Sequence, residues 1–221
     1  MLHLPDSTPA PCVVACHGLG ASKDSEKYLL LGREFPKEGL ALARFDFRGC
    51  GESDGAYAET TVAGRIRDLE GVLDFLSQSP ALNGRFGVLG SSMGGYVALF
   101  VAAGRRLSLP VVTWNAPASL RGLERHRSDD IAELGRAFLE ELRAGQYSDA
   151  PSGVSCCLTI QADRDEVVPP SHGRLLFERA ADPRELALLT GADHRLSETR
   201  HRMEALARSL HWFRRFLLAS L

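Results

Sequence analysis

Long apolar runs, paired cysteines and a strong excess of one charge are all absent from this sequence. Its 221 residues hold no apolar run approaching the roughly 18 residues of a membrane span, so no spanning helix is predicted. The formal net charge of −2 offers no broad positive surface, so neither nucleic acid nor an anionic membrane is an expected partner. The opening MLHLPDSTPAP has no basic segment followed by an apolar one, and it is not predicted to be a signal peptide.

Cysteine is sparse, and its spacing fits neither a metal site nor a disulfide framework. The five cysteines are odd in number and include no C-x-x-C pair. Four of them lie in apolar, strand-like runs, while Cys50 lies in a predicted loop and is the one candidate for a reactive thiol. We predict reduced, buried thiols, which favour a cytoplasmic location, and no zinc site. The cysteines are Cys12, Cys16, Cys50, Cys156 and Cys157.

Short apolar runs alternate with longer segments of helical periodicity along most of the chain. The runs are nearly continuous in apolar character, as strands covered on both faces must be. The clearest helical stripes lie at 62–76 and 198–219. This alternation predicts one α/β domain over residues 1–221, with a doubly wound, mostly parallel sheet flanked by helices. The predicted strands are 12–16, 40–47, 85–90, 109–115, 156–161 and 185–189.

Residues 116–151 interrupt the alternation. A predicted helix in this segment places Ile131, Leu134, Phe138 and Leu142 on one apolar stripe. We interpret the segment as a small helical lid whose Leu134 and Phe138 line a substrate pocket. The alternative is that the segment packs on the rest of the domain and has no functional role.

The glycine-rich stretch LGSSMGG contains one serine at a sharp change of chain direction. Residues 90–94 fit the pattern G-x-S-x-G, with an apolar strand before the pattern and a helix after it. A strand-to-helix turn this tight requires small neighbours, and it would hold the Ser92 hydroxyl out as a nucleophile. A plain turn serine is the alternative reading. Ser91 falls outside the pattern and is expected to be structural.

A serine nucleophile needs a base to take its proton and an acid to orient that base. In an open α/β sheet such groups gather outside the carboxyl ends of the strands, so the loops after the last two predicted strands are the places to search. The first loop, ADRDEVVPP, offers Asp163 and Asp165. The second, TGADHRLSE, offers His194 as the base.

Taken together, these motifs resemble the α/β-hydrolase superfamily, whose chain order is nucleophile, acid, histidine. CHGLG at 16–20 resembles its His-Gly segment, and DFRGCGESDG at 46–55 resembles its D-x-R-G-x-G-x-S loop. RDEVVP at 164–169 resembles its acid loop, and this register favours Asp165 over Asp163. GADHRLS at 191–197 resembles its histidine loop. The set is most similar to small cinnamoyl/feruloyl esterases and serine-aminopeptidase-like hydrolases.

The resemblance implies a role for each group. His194, oriented by Asp165, takes the proton of Ser92, which attacks a carbonyl and forms an acyl-enzyme. The amides of Leu19 and Met93 hold the oxyanion, and His17 braces the loop before Leu19. Arg48 and Glu52 are expected to hold the 46–55 loop. No cofactor or metal is implied.

The resemblance also implies the class of substrate and one departure in fold. The expected substrate is a small-molecule ester with a small or aryl acyl group. The alternatives are a thioesterase, an aminopeptidase-like amide hydrolase and a non-catalytic hydrolase-like binding protein. The superfamily's sheet usually begins with two more strands before its His-Gly strand, and only about ten residues precede Cys12 here. Either the fold is trimmed at that edge, or the start of the sequence is truncated.

Overall fold

A computed structural model describes residues 1–105, 109–121, 131 and 133–218 of this chain. Seven strands form one sheet, and six α-helices of nine residues or more are described around it. The strands are β1 Leu2–His3, β2 Ala10–Cys16, β3 Ala41–Arg44, β4 Leu82–Ser91, β5 Val111–Trp114, β6 Cys157–Ala162 and β7 Arg184–Leu189. The helices are α1 Glu26–Glu34, α2 Val62–Ser77, α3 Met93–Gly104, α4 Arg136–Ala144, α5 Pro170–Arg179 and α6 Thr199–Phe213.

The sheet is parallel except at one edge, and its strand order is β1-β3-β2-β4-β5-β6-β7. The prediction of a mostly parallel sheet is confirmed. The antiparallel edge strand β1 was not predicted from the sequence. Its two residues pair as Leu2 with Ala43 and His3 with Leu42, a stretch too short to show any periodicity.

Both faces of the sheet are covered, which explains why its central strands are mostly apolar, with Thr113, Thr159 and Gln161 as buried polar exceptions. In β2, Cys12 and Val14 face the core beneath α2, α3, α4 and α5, whereas Val13 and Ala15 face the core beneath α1 and α6. Alternate residues of a strand point to opposite faces, so a strand covered twice needs apolar residues at every position. The doubly wound arrangement follows from this pattern.

Two predicted elements end earlier in the structure than in the sequence pattern. The third strand stops at Arg44 rather than 47, because Asp46 turns away to accept hydrogen bonds from the backbone amides of Lys23 and Glu52. The predicted C-terminal helix 198–219 is α-helical only to Phe213 and continues as a π-turn over Arg214–Leu218.

The helix predicted within 116–151 also begins later than its apolar stripe suggests. The Gly135 amide donates to the Ala58 carbonyl at 3.0 Å, and a Cβ at Gly135 would overlap that carbonyl oxygen. Helix α4 starts only after this contact, so Leu134 lies outside it. The Glu141 carboxylate accepts hydrogen bonds from the amides of Val62 and Ala63, which ties α4 to the first turn of α2.

Candidate active site

The predicted nucleophile lies at the turn between the central strand β4 and helix α3. Ser92 has φ 54° and ψ −123°, a conformation that costs free energy for any residue with a Cβ. Its amide donates to the Trp114 carbonyl at 2.8 Å, and its carbonyl accepts from the Tyr96 amide at 3.1 Å. A Cβ at Gly94 would overlap the Cys16 carbonyl oxygen, so only glycine lets α3 pack this closely on β2.

The structure brings Ser92, His194 and Asp165 into one continuous hydrogen-bonded row. His194 Nε2 lies 3.1 Å from Ser92 Oγ, and His194 Nδ1 lies 2.8 Å from Asp165 Oδ2. The three residues come from the ends of β4, β6 and β7, which share the carboxyl edge of the sheet. A base within hydrogen-bond reach of a hydroxyl, itself held by a buried carboxylate, can accept the hydroxyl proton.

The two candidate acids have different environments. The side chain of Asp165 is fully buried. Its Oδ1 also accepts hydrogen bonds from the amides of Val167 and Val168, at 2.9 and 2.7 Å. Asp163 is exposed, and its Oδ1 accepts from the Gly191 amide at 2.6 Å. Asp165 is therefore the acid in contact with the imidazole of His194, while Asp163 ties the loop after β6 to the loop after β7.

Asn115 joins the strands that carry this row, and it was not predicted from the sequence. The residue is buried and has φ 53°. Its Oδ1 accepts from the Ala162 amide at 2.7 Å, and its Nδ2 donates to the His194 carbonyl at 2.8 Å. Its only sequence signal is an amide side chain directly after a buried strand, at the sheet edge where ligands bind.

The two amides predicted to hold an oxyanion lie on either side of Ser92. Met93 opens helix α3 directly after the serine, and Leu19 follows Gly18 in the loop after β2. A Cβ at Gly18 would lie 3.2 Å from Ser92 Cβ, so this loop is in close contact with the nucleophile. Within the described chain, neither amide donates a hydrogen bond to the protein. Both can therefore be offered to a substrate oxygen.

His17 and Arg65 hold the loop that carries Leu19. His17 is buried, with Nδ1 2.8 Å from the Gly18 carbonyl and Nε2 accepting from the Phe47 amide at 3.1 Å. Burial, reinforced by nearby Arg65, lowers the pKa of His17 to about 4. The ring is thus neutral and braces the loop, as the resemblance implied.

Arg65 is a second residue that was not predicted from the sequence. Its guanidinium is buried beneath the same loop and donates to the carbonyls of His17 and Gly18, each at 3.4 Å. It also lies over the ring of Phe47, 4.6 Å from the centroid. The available signal was a charged residue on the buried face of a helix, since Arg65 lies three residues after Val62 and four before Leu69.

The 46–55 loop is held by ion pairs, as expected. The Lys23 ammonium contacts Asp46 at 2.8 Å and Glu52 at 2.5 Å. Arg48 pairs with Asp68 at 2.8 Å. These contacts fix the loop beside the His17 segment. They also pair the carboxylates of Asp46 and Glu52 with Lys23, away from the nucleophile.

A cavity of about 660 Å³ opens at Ser92 and His194. Its larger apolar lining residues include Leu19, Met93, Leu120, Ile131, Val167 and Val168. Its charged or titratable lining residues are Glu26, Lys27, Arg121, His172, His194, Arg195 and Arg202. Of the 116–151 segment, residues 117, 119–121 and 131 line the cavity. An aminopeptidase would need an acidic group to hold the free amine of its substrate, and the sequence offers Glu124, Asp129, Asp130 and Glu133 for this role. The first three lie outside the described residues, and Glu133 is not part of the cavity lining.

The predicted pocket residues Leu134 and Phe138 require correction. Both are buried, but they pack in the core beneath α2 and α3 rather than along the cavity. The apolar stripe correctly indicated burial, yet its partner is the body of the domain. Ile131 is the residue of that stripe that lines the cavity.

The cysteines are placed as the sequence predicted. All five cysteines are free and buried. Cys50, the candidate reactive thiol, is buried as well, and burial raises its pKa. Among the described residues, no three histidine, cysteine or acidic side chains are grouped to hold a metal ion. None of the described helices combines the length and the apolar character needed to cross a bilayer.

Several known proteins with similar sequences or folds are named as hydrolases. The mouse protein named "Palmitoyl-protein thioesterase ABHD10, mitochondrial" is 26% identical over 197 residues, which cover 75% of this chain and 63% of that protein. This chain thus spans less than two thirds of that relative's length.

Solved structures share the fold. The mouse "Alpha/beta hydrolase domain-containing protein 10" superimposes with a TM-score of 0.78 at 21% identity, covering 95% of this chain and 92% of that one. Est1E from Butyrivibrio proteoclasticus, solved with ferulic acid bound, gives 0.79 at 17% identity, covering 100% and 95%. The sequence model of the family described as "Serine aminopeptidase, S33" matches residues 7–124, just over half of the chain. The chain therefore belongs to this S33 serine aminopeptidase family, within the α/β-hydrolase superfamily.

Proposed function

We propose that this chain is a serine hydrolase that cleaves carboxylic esters of small or aryl acyl groups. The observation that carries the proposal is the hydrogen-bonded row from Asp165 through His194 to Ser92, beside two amides that are free to hold an oxyanion. A chain that had lost catalysis would have no reason to keep all of these groups aligned, which counts against a non-catalytic binding protein.

The mechanism follows from the geometry. His194 Nε2 takes the proton of Ser92 Oγ as that oxygen attacks the ester carbonyl, and buried Asp165 stabilises the imidazolium that forms. The amides of Leu19 and Met93 donate to the developing oxyanion, an interaction that contributes roughly 3 kcal/mol per donor in a dry site. His194 then protonates the departing alcohol. Water, deprotonated by His194, attacks the acyl-enzyme and releases the acid.

A small or aryl acyl group fits the cavity as it is described. The apolar lining at Leu120, Ile131 and Val168 provides contacts for a ring or a short chain. Est1E, which shares the fold, was solved with the aryl acid ferulic acid, and this supports the aryl option. These observations favour compact acyl groups within a volume of about 660 Å³.

Thioester hydrolysis is the second candidate function, because the mouse relative is named a palmitoyl-protein thioesterase. The same hydrogen-bonded row of residues can cleave esters and thioesters, so the acyl and leaving groups distinguish the two functions.

An aminopeptidase activity has less support. Among the described lining residues the one acidic side chain is that of Glu26, and it pairs with Arg202 at 3.1 Å. Amine recognition needs a carboxylate that is free to bind the substrate.

A matched substrate panel tests the proposal. Phenyl esters, thioesters and anilides of acetate, butyrate, benzoate, cinnamate and palmitate would be compared at equal concentration, with Ser92→Ala beside the wild type. We expect turnover of the acetyl to cinnamoyl esters and fluorophosphonate labelling of the wild type but not of Ser92→Ala. Equal labelling of both proteins would refute Ser92 as the nucleophile. Hydrolysis confined to the palmitoyl thioester would favour the second candidate.

A cytoplasmic location is also part of the proposal. It is supported by the five free, buried thiols. Cell fractionation with an antibody to the native chain tests it directly.

A further inference from the structure

A lysine ammonium lies in the wall of the cavity beside the nucleophile. Lys27, in the first turn of α1, donates from Nζ to Ser91 Oγ at 2.7 Å, and Ser91 immediately precedes Ser92. Lys27, Ser91 and Ser92 all line the same cavity. The Lys27 side chain is half-buried, and its Nζ lies 5.6 Å from the ring centroid of Tyr28.

This ammonium has no carboxylate partner in the described part of the chain, unlike Lys23 and Arg202 nearby. Lys23 contacts Asp46 and Glu52, and Arg202 contacts Glu26. The hydroxyl of Ser91 satisfies only one of the three N–H donors of Lys27. A buried charge without a counterion is costly, and this one faces the space that the substrate enters.

The remaining charges around Lys27 do not neutralise it. Exposed Arg195, which also lines the cavity, adds a second positive charge, and Asp193 opposes it from the same loop. His194 lies between them in sequence, and Glu26 is taken by Arg202. The wall formed by α1, the histidine loop and Arg202 of α6 carries three positive side chains against Glu26 and Asp193, so it is net positive towards the substrate.

We propose that Lys27 determines specificity by binding a carboxylate on the substrate of Ser92, so that the chain prefers acidic esters to neutral ones. The inference rests on the proposed hydrolase function. The two N–H groups of Lys27 that have no partner among the described residues are the donors that such a carboxylate would accept from. A charge-assisted hydrogen bond of this kind corresponds to a preference of roughly tenfold to hundredfold in kcat/KM.

The pH dependence of the charge on Lys27 supports its proposed role in binding a substrate carboxylate. Burial, and then the positive charge of Arg195, lower the pKa of Lys27 to about 8, while Asp193 acts in the opposite direction. The ammonium form therefore gives way to the neutral amine as the pH rises past about 8. The preference for an acidic ester is expected to fall over that interval, whereas an unperturbed lysine would keep its charge to about pH 10.

The test compares isosteric acidic and neutral esters. For a carboxylate on the acyl side, the pair is monophenyl adipate and phenyl 6-methylheptanoate. For a carboxylate on the leaving side, the pair is 4-acetoxybenzoate and 4-acetoxybenzamide. The readout is the ratio of kcat/KM for each pair, measured from pH 6.5 to 9.5, and the pair with the larger ratio shows which side of the ester carries the carboxylate.

We expect one pair to show a ratio of at least tenfold that declines above pH 8. Lys27→Met should abolish this ratio, Lys27→Arg should keep part of it, and the exposed control Lys37→Met should leave it unchanged. If Lys27→Met does not fold, the decline of the wild-type ratio with pH decides the question. Neutral esters cleaved as fast as acidic ones at every pH would overturn this inference alone. Failure to cleave any ester would overturn the proposed function as well.

Discussion

His194 Nδ1 lies 2.8 Å from Asp165 Oδ2, whereas the neighbouring Asp163 turns outward to the Gly191 amide. The two carboxylates are only two residues apart, yet one is buried against the imidazole and the other is exposed. The loop after β6 curls around Asp165, whose Oδ1 accepts from the amides of Val167 and Val168. That turn selects which aspartate reaches the site.

Asp165→Asn should reduce kcat about a thousandfold or more, because an amide favours the wrong imidazole tautomer and cannot stabilise the imidazolium. Asp163→Asn should change kcat by less than roughly tenfold, since it only weakens a loop contact with Gly191. Steady-state kinetics on a phenyl ester checks both variants, with thermal melting to verify folding. A crippled Asp163→Asn enzyme beside a mild Asp165→Asn enzyme would show that the assignment of the acid is wrong.

Arg65→Met should lower kcat by roughly ten- to hundredfold with little change in KM, because the loop carrying the Leu19 amide loses its support. Methionine keeps an unbranched chain of similar length but removes the donors to the carbonyls of His17 and Gly18. The control is Arg67→Met, an exposed arginine on the same helix. A rise in KM with unchanged kcat would indicate a role in substrate binding instead of oxyanion positioning.

Phe138→Ala should destabilise the fold by about 3–4 kcal/mol while leaving acyl specificity unchanged, since the ring is buried in the core. Ile131→Ala should change acyl specificity and leave the free energy of unfolding less affected, because Ile131 lines the cavity. Urea unfolding gives the first quantity, and the kcat/KM ratio of phenyl acetate to phenyl cinnamate gives the second. A specificity change in Phe138→Ala at full stability would instead support the prediction from the sequence that this helix lines the acyl pocket.

Acid should destabilise the fold partly through His17, whose pKa is lowered to about 4 by burial. The unfolded ring binds a proton near pH 6.5 and the folded ring does not, so this contribution is complete above pH 6.5. It is lost as the pH falls towards 4, by about 3 kcal/mol in total. Urea midpoints from pH 7 to 4.5 should fall less steeply for His17→Gln. An NMR titration placing the His17 pKa near 6.5 in the folded protein would contradict this.

The core of the site was predictable because its signals are local. The G-x-S-x-G turn, the acid loop and the histidine loop each lie within a few residues, and each follows a strand whose apolar character reveals it. Parallel strands bring their carboxyl ends to one sheet edge, so Ser92, His194 and an aspartate of the acid loop could be placed together from the sequence pattern. The choice of Asp165 over Asp163 came from the resemblance to the family's acid loop. The same reasoning could not supply Asn115, which acts through contacts with two distant loops.

The apolar stripe of the 116–151 segment shows where such reasoning stops. Its period correctly predicted that Leu134 and Phe138 are buried. The period could not show which surface these two side chains pack against, because the hydrophobic effect is non-directional. The contact between Gly135 and Ala58 and the bonds from Glu141 to the start of α2 decided that α4 packs on the domain body.

The sequence by itself determined the alternation of strands and helices, the shape of the serine turn and the loops that hold the acid and the base. These features depend on backbone sterics and on hydrogen bonds between residues close along the chain. Only the tertiary structure decided that Lys27 reaches Ser91, 64 residues away, and that Arg65 reaches Gly18, 47 residues away. Long flexible side chains take whichever partner the packing of distant elements provides, and that packing is settled by the whole core together.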